Sequence, residues 1–246
     1  MEGNGKYNGN GHDSGEEEKI VHFPSLAERD RLRRAQEKKN RPPREPMINL
    51  PPATKYLAAV FLLFHIAVQF LPEPAQYWVY DHFGFIPARY TGEVPFDLYA
   101  LAAPLTYMFL HGSWTHVLMN TVMTAAFGTG VERLMGPRRM LVYFLLCSVA
   151  AMLAQFAADP FSVDPVIGAS GGLSGLFAAI LVLMQKMGAG GTGRYGIWPF
   201  VLLWVGISVV FGMMEAPGGG SVAWVAHIGG FIAGFVFLKQ VMRYLK

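Results

Sequence analysis

A serine and a histidine lie in two separate apolar stretches of this sequence, and together they could act as a nucleophile and its base. Ser170 lies in Gly-Ala-Ser-Gly at residues 168–171, and His227 lies in Ala-His-Ile-Gly-Gly near the C-terminus. A polar group in hydrocarbon costs free energy unless it is paired. We therefore expect the two side chains to face each other. His227 would take the Ser170 proton as general base and return it to a leaving amine.

The residues around Ser170 suit this chemistry because they open a predicted helix. At a helix N-terminus a hydroxyl and its backbone N–H lie near the positive end of the helix dipole, which favours developing negative charge. Gly168 permits the turn into the helix, and Gly171 permits close approach of another backbone. Taken alone, the tetrapeptide also fits small-residue packing between membrane helices, and His227 also fits a packing histidine bonded to a carbonyl. No Asp or Glu lies in the inner parts of the apolar stretches, so we predict a dyad rather than a triad.

Glycines at four-residue spacing predict how the two helices meet. Gly171 and Gly175 form one such pair, and Gly230 and Gly234 form the other. Small residues at this spacing let two membrane helices approach closely. We expect the helices to pack at these glycines, with Ser170 and His227 one turn further out.

A further polar group precedes both helices. His116 and Asn120 are four residues apart, hence on one helical face, and both side chains can donate to an oxyanion. His111 lies at the junction between a loop and this helix. A zinc site is the competing interpretation, but His111 and His116 are five apart and no glutamate completes an HExxH arrangement. We predict neither a metal ion nor a cofactor.

Two other reactive side chains lie in apolar stretches without a visible partner. His65 is interpreted as a solitary buried or interfacial histidine. Cys147 has no neighbouring base signature and is interpreted as structural. As the only cysteine, it excludes an intrachain disulfide.

The elements that must position these residues are apolar segments long enough for a membrane. Of the 246 residues, 52% are hydrophobic and 15% are charged, against about 25% charged in soluble domains. We predict an all-α membrane protein with six spans. The predicted spans are 56–71, 113–134, 140–158, 168–185, 197–214 and 223–238. The loop 72–112 contains a semi-apolar stretch, 98–110, and is predicted to lie at the membrane interface.

Basic residues predict the orientation of these spans. The breaks after the second and fourth spans and the C-terminus carry Arg133, Arg138, Arg139, Lys186, Arg194, Lys239, Arg243 and Lys246. The breaks after the third and fifth spans carry only Asp159, Asp164 and Glu215. By the positive-inside rule both termini are cytoplasmic, which places Asn120, Ser170 and His227 at similar depth near the outer side. The net charge of +3 then reflects topology, and no nucleic-acid partner is predicted.

Taken in order, these motifs resemble those of the rhomboid intramembrane serine proteases. The matching stretches are His111-Gly-Ser-Trp-Thr-His116-Val-Leu-Met-Asn120, Gly168-Ala-Ser170-Gly171, Ala226-His227-Ile-Gly-Gly230, Phe127-Gly-Thr-Gly-Val-Glu132-Arg-Leu-Met-Gly136 and Phe85-Ile-Pro-Ala-Arg89-Tyr. The resemblance covers residues 54–244, and the order and spacing of the motifs make it specific.

The resemblance implies a six-helix bundle with a water-accessible cavity that opens to the outer side of a bacterial inner membrane. Ser170 is similar to the family nucleophile and His227 to its base. By the same match, His111, Asn120 and the Ser170 backbone N–H would form the oxyanion hole, and His116 would be the supporting histidine. The implied partners are the lipid bilayer and single-span membrane proteins, which are cut in or near their span after local unwinding.

The predicted organisation is a cytoplasmic polar tail at 1–46 and a six-helix rhomboid protease domain at 47–246. Within the tail, residues 1–18 are predicted to be disordered and residues 25–39 to form a short basic helix. One departure concerns the first loop, where many members carry Trp-Arg about three residues before the position of Thr106. Here those positions read Ala102 and Ala103, so the family's usual interfacial anchor of this loop is not expected, whereas the active site is unaffected.

Two other functions fit parts of the pattern. The first is a proteolytically inactive rhomboid-like protein that binds membrane clients, but such relatives lack the serine or the histidine. The second is a transporter or channel, which would show paired repeats and intramembrane carboxylates, and the sequence shows neither.

Overall fold

A computed structural model describes residues 25–39, 49–186, 195–213 and 224–244. The chain divides into two units, Met1–Met47 and Ile48–Lys246. In the first unit, helix α1 spans Leu26–Lys39, over the stretch where the sequence predicts a helix. The Ser25 hydroxyl accepts a hydrogen bond from the Glu28 backbone N–H at 3.3 Å, as an N-terminal cap does. The predicted disordered stretch, 1–18, lies outside the described residues.

The second unit opens with a long helix and a folded loop. Helix α2 spans Pro52–Gln69 and begins at a proline, whose missing N–H is not needed in a first helical turn. The loop after it contains helices α3 (Glu73–Phe83), α4 (Pro87–Thr91) and α5 (Ala103–Thr106). Short 3-10 turns at Leu98–Leu101 and Tyr107–Phe109 flank α5. The only β pairing in the described part of the chain is one antiparallel bridge between Phe85 and Val166.

The remaining helices complete the second unit. Helix α6 (Trp114–Met123) continues through a π-helical segment (Thr124–Gly128) into α7 (Thr129–Met135). They are followed by α8 (Pro137–Ala158), α9 (Ser170–Lys186), α10 (Trp198–Met213) and α11 (Trp224–Tyr244). These elements overlap the six predicted spans. The largest differences are at α2, which begins earlier than predicted, and at α11, which ends later.

Several of these helices are apolar enough for a bilayer. Among the described residues, three helices have the length and composition to cross a membrane, at Pro52–Gln69, Pro137–Ala158 and Trp224–Arg243. A shorter apolar helix lies at Ser170–Lys186. The second unit is thus an all-α structure with membrane-spanning helices.

Helices α8, α9 and α11 meet at the centre of this unit. The Tyr143 hydroxyl of α8 lies 2.7 Å from the Gly234 carbonyl oxygen and 3.0 Å from that of Gly175. One buried side chain therefore links α8 to both α9 and α11. Phe144 and Leu173 are almost fully buried beside it.

Glycines bring the backbones of α9 and α11 into direct contact. A Cβ atom built on Gly230 would collide with the Gly171 carbonyl oxygen. A Cβ on Gly234 would lie 2.8 Å from the Gly175 carbonyl oxygen and 2.8 Å from the Ala178 Cβ. No larger residue fits these positions without moving one helix.

A buried carboxylate ties α7 to the start of α2. Glu132, which is 4% exposed, accepts hydrogen bonds from the backbone N–H groups of Ala53 at 3.0 Å and Thr54 at 2.7 Å. The Thr54 hydroxyl donates a third bond at 2.7 Å. The negative charge thus lies at the positive end of the α2 dipole, which favours it.

Candidate active site

Ser170 is the first residue of α9, and the turn that leads to it requires a glycine. Gly168 has φ of +112°, a value that side chains other than glycine rarely adopt. Its N–H donates to the Tyr107 carbonyl at 2.9 Å, and Ala169 is fully buried. This hydrogen bond and the burial of Ala169 fix the loop before the helix. The Ser170 N–H lies among the unpaired donors of a helix N-terminus.

His227 lies in the first turn of α11 and faces this serine. Its Nε2 atom is 2.7 Å from Ser170 Oγ, across 57 residues of sequence. A neutral imidazole can accept the serine proton at this distance. In the described part of the chain, no Asp or Glu hydrogen-bonds to His227.

The α6 side chains Asn120 and His116 converge on the loop before Ser170. A Cβ built on Gly168 would lie 2.6 Å from His116 Nε2 and 3.9 Å from Asn120 Nδ2. Asn120 is 2% exposed, and its Nδ2 has no hydrogen-bond partner in the structure. Two side chains that can donate to an oxyanion are thus next to the turn that carries the serine.

His111 contacts a different set of groups. Its ring lies 5.4 Å from the Phe61 ring and 5.0 Å from the His116 ring, centroid to centroid. Its two ring nitrogens are buried without a partner in the structure. Of the two rings, that of His116 is therefore the one that lies next to the serine loop. The cause is the helix period, since His116 and Asn120 share one face of α6 and His111 lies before its first turn.

The sequence around this site matches a known protein family. Residues 100–244 match the family model Rhomboid, described as Rhomboid domain, and this stretch contains Ser170, His227, Asn120, His116 and His111. The chain belongs to the rhomboid family.

Several rhomboid relatives have recognisable sequence identity. Rhomboid protease GluP of Bacillus subtilis is 29% identical over 131 residues, which are 53% of this chain and 24% of GluP. Rhomboid protease GlpG of Salmonella newport is 32% identical over 136 residues, 52% of this chain and 44% of GlpG. Rhomboid-related protein 3 of Homo sapiens is 27% identical over 147 residues, 56% of this chain and 36% of that protein. The chain spans less than half the length of each of these three relatives.

Two residues near the site of this rhomboid have contacts that the sequence does not predict. His65 is not solitary, because its Nδ1 lies 2.9 Å from the His111 carbonyl oxygen and its ring packs edge-on to Trp114 at 4.7 Å. The Tyr80 hydroxyl donates to the same carbonyl at 3.0 Å. A histidine in an apolar helix is a signal that a partner exists. Sequence periodicity could not find it, since the partner is a backbone atom in a loop.

An arginine organises the first loop of the rhomboid, where Trp-Arg is missing. Arg89 is 6% exposed and lies 2.7 Å from the Asp81 carboxylate and 3.6 Å from that of Asp97. It also donates to the Asp81 carbonyl at 2.6 Å. These bonds join α3, α4 and the first 3-10 turn, so Arg89 anchors the loop from a different position.

Within the described ranges, no three His, Cys, Asp or Glu side chains are grouped so that they could hold a metal ion. Cys147 is buried, and a Cβ on Gly175 would collide with it, so the thiol lies at a helix contact.

Proposed function

We propose that this rhomboid is an intramembrane serine endopeptidase that cleaves single-span membrane proteins in or near their span. The observation that carries the proposal is the 2.7 Å contact between Ser170 Oγ and His227 Nε2. Two of the relatives, GluP and GlpG, are named rhomboid proteases, which supports the same reaction class.

The reaction would proceed through an acyl-enzyme. Ser170 Oγ attacks the scissile carbonyl carbon while its proton moves to His227 Nε2. The imidazolium then gives this proton to the leaving amine as the C–N bond breaks. Water attacks the resulting ester by the same route, with His227 again as base, and Ser170 recovers its proton.

The negative oxygen of the tetrahedral intermediate needs donors that are already in place. Asn120 Nδ2, a ring N–H of His116 and the Ser170 backbone N–H are the groups we assign to it. The N-terminal end of α9 adds a favourable dipole. Donors that need no reorganisation contribute most in a site screened from water.

The membrane arrangement we propose has six spans with both termini in the cytoplasm. The spans would be α2, α6 with α7, α8, α9, α10 and α11, preceded by a cytoplasmic tail at 1–46. Basic residues at the inner ends support this orientation by the positive-inside rule. The site would then open toward the outer side of a bacterial inner membrane, and its substrates would reach it from the bilayer.

A substrate span must unwind locally at the cleavage point. In a helix each carbonyl is hydrogen-bonded and shielded by side chains, so Ser170 cannot reach it. Single-span proteins whose helices are weakened near the outer surface are therefore the substrate class that fits best.

The experiment that tests this function compares shed protein fragments. Cells that carry the wild-type chain should release fragments of single-span membrane proteins that are absent from cells carrying Ser170→Ala or His227→Ala at equal abundance. If Ser170→Ala cells release the same fragments, the chain is not the protease, and a client-binding role without proteolysis becomes the better account.

A further inference from the structure

Two side chains from separate elements bind one backbone oxygen beside the site. His65 of α2 is 1% exposed, and its Nδ1 lies 2.9 Å from the His111 carbonyl oxygen. Tyr80 of α3 donates its hydroxyl to the same oxygen at 3.0 Å. A carbonyl has two lone pairs and cannot donate, so both contacts are satisfied and His65 must carry its proton on Nδ1.

The anchored carbonyl lies directly before α6. Gly112 and Ser113 separate it from the helix, and the Ser113 hydroxyl accepts the His116 N–H at 3.2 Å. Trp114, the first residue of α6, packs edge-on against the His65 ring at 4.7 Å. The place where α6 begins is therefore set by the groups that hold the His111 carbonyl.

The first turns of α6 carry the proposed oxyanion donors. His116 lies in the first turn and Asn120 in the second, so any shift of the helix start moves both side chains. The His111 ring is also 5.0 Å from the His116 ring, which gives the anchored segment a direct contact with one donor. Misplacement of a catalytic group by about 1 Å can cost about 100-fold in rate.

We propose that His65 and Tyr80 are positioning residues that fix the start of α6 and so hold His116 and Asn120 at the oxyanion. This inference rests on the proposed protease function. Neither side chain touches the reacting atoms, and each acts through the His111 carbonyl. Burial raises the pKa of Tyr80, so its phenol keeps the donated proton at neutral and mildly alkaline pH.

The substitutions that test the inference separate hydrogen bonding from packing. Tyr80→Phe removes only a hydroxyl. Asn in place of His65 can return a donor near the Nδ1 position, whereas Gln projects its amide toward the Nε2 position, and Leu has no donor. Tyr77→Phe removes the hydroxyl of an exposed tyrosine on the same helix and is the matched control.

The readouts are the kcat and KM for a quenched single-span peptide, the rate at which a fluorophosphonate labels Ser170, and the unfolding temperature. We expect Tyr80→Phe and His65→Leu to lower kcat and the labelling rate about 10- to 100-fold, with KM nearly unchanged. His65→Asn should recover most of the loss, His65→Gln should not, and Tyr77→Phe should match wild type.

The outcomes distinguish this inference from the function on which it rests. If wild type is active while Tyr80→Phe and His65→Leu keep its kcat, the positioning role is wrong and the protease function stands. The role is also wrong if the Asn and Gln variants lose activity equally, in parallel with their unfolding temperatures. A wild-type protein that neither cleaves the peptide nor reacts with the probe overturns both proposals.

Discussion

Buried polar atoms without partners occur on α6 and in the segments packed against its start, and at the scale of single residues they indicate a binding site. They include Nδ2 of Asn120, Nε2 of His65 and both ring nitrogens of His111. An unsatisfied buried donor costs about 1–3 kcal/mol. The protein can carry such a cost where the donor serves a ligand or a transition state, and Asn120 has a suitable position because its Nδ2 lies next to the serine loop.

Loss of a candidate oxyanion side chain should therefore lower the reaction rate rather than the stability of the fold. Asn120→Ala should lower kcat by about 10²–10³ and leave the unfolding temperature unchanged or higher, because an unsatisfied donor is removed. Initial-rate measurements on purified protein check this. Normal turnover in Asn120→Ala would remove that side chain from the role.

The positions of His116 and His111 predict which of the two contributes more to the reaction rate. His116→Ala should lower the kcat and the rate of Ser170 labelling more than His111→Ala does, because the His116 ring faces Gly168. A larger kinetic loss in His111→Ala, with its unfolding temperature unchanged, would favour His111 as the oxyanion donor, as the family resemblance implies.

Residue types alone indicate much of this site. A serine and a histidine in apolar segments at equal depth predict that the two meet, and the structure has them 2.7 Å apart. The direction of the His116 ring depends on α6 beginning at Trp114, and the partner of His65 is a loop carbonyl. No pattern of residue types in the sequence marks either feature, so neither could be predicted without the structure.

At the scale of elements, the contact of α9 with α11 is the most restrictive in the fold. Gly230→Ala should destabilise the protein by about 1–3 kcal/mol, because its Cβ meets the Gly171 backbone, and Gly230→Leu should prevent folding. Gly206→Ala is the matched control, since a Cβ there meets nothing within 4 Å and alanine is the better helix former. Thermal unfolding in detergent measures both, and equal unfolding temperatures would contradict the close approach.

The anchor at the start of α2 should respond to the loss of charge. Glu132→Gln keeps the size of the side chain but replaces one accepting oxygen with an amide nitrogen, which cannot accept the N–H bonds. Loss of these hydrogen bonds should lower the free energy of unfolding by about 1–3 kcal/mol. Glu93→Gln, at an exposed position, should cost almost nothing. Comparable stability of the two variants would show that the Glu132 bonds add nothing to the fold.

Long apolar helices are predictable from sequence because hydrophobicity alone requires them. The loop 72–112 is not, since α3, α4 and α5 are short and are separated by proline and glycine. They are held by tertiary contacts such as Arg89 with Asp81, whose two residues lie eight positions apart on different helices. The sequence predicts only that this loop is interfacial, whereas the structure shows that it is folded.

At the scale of the whole molecule, the proposed orientation makes opposite predictions for two exposed positions. Asp159→Cys, between α8 and α9, should react with a membrane-impermeant maleimide on intact cells. Arg138→Cys, at the start of α8, should react only after lysis. Cys147 is buried and provides an unreactive background. The reverse labelling pattern would invert the topology and place the site toward the cytoplasm.

The proposed protease activity depends on a serine that is activated by a histidine from another helix. The most direct measurement is fluorophosphonate labelling of the purified full-length chain in lipid, with the modified residue located by mass spectrometry. We predict one adduct on Ser170 in wild type, none in Ser170→Ala, and loss of labelling in His227→Ala with an unchanged unfolding temperature. Labelling of His227→Ala at the wild-type rate, or an adduct on another residue, would contradict the account.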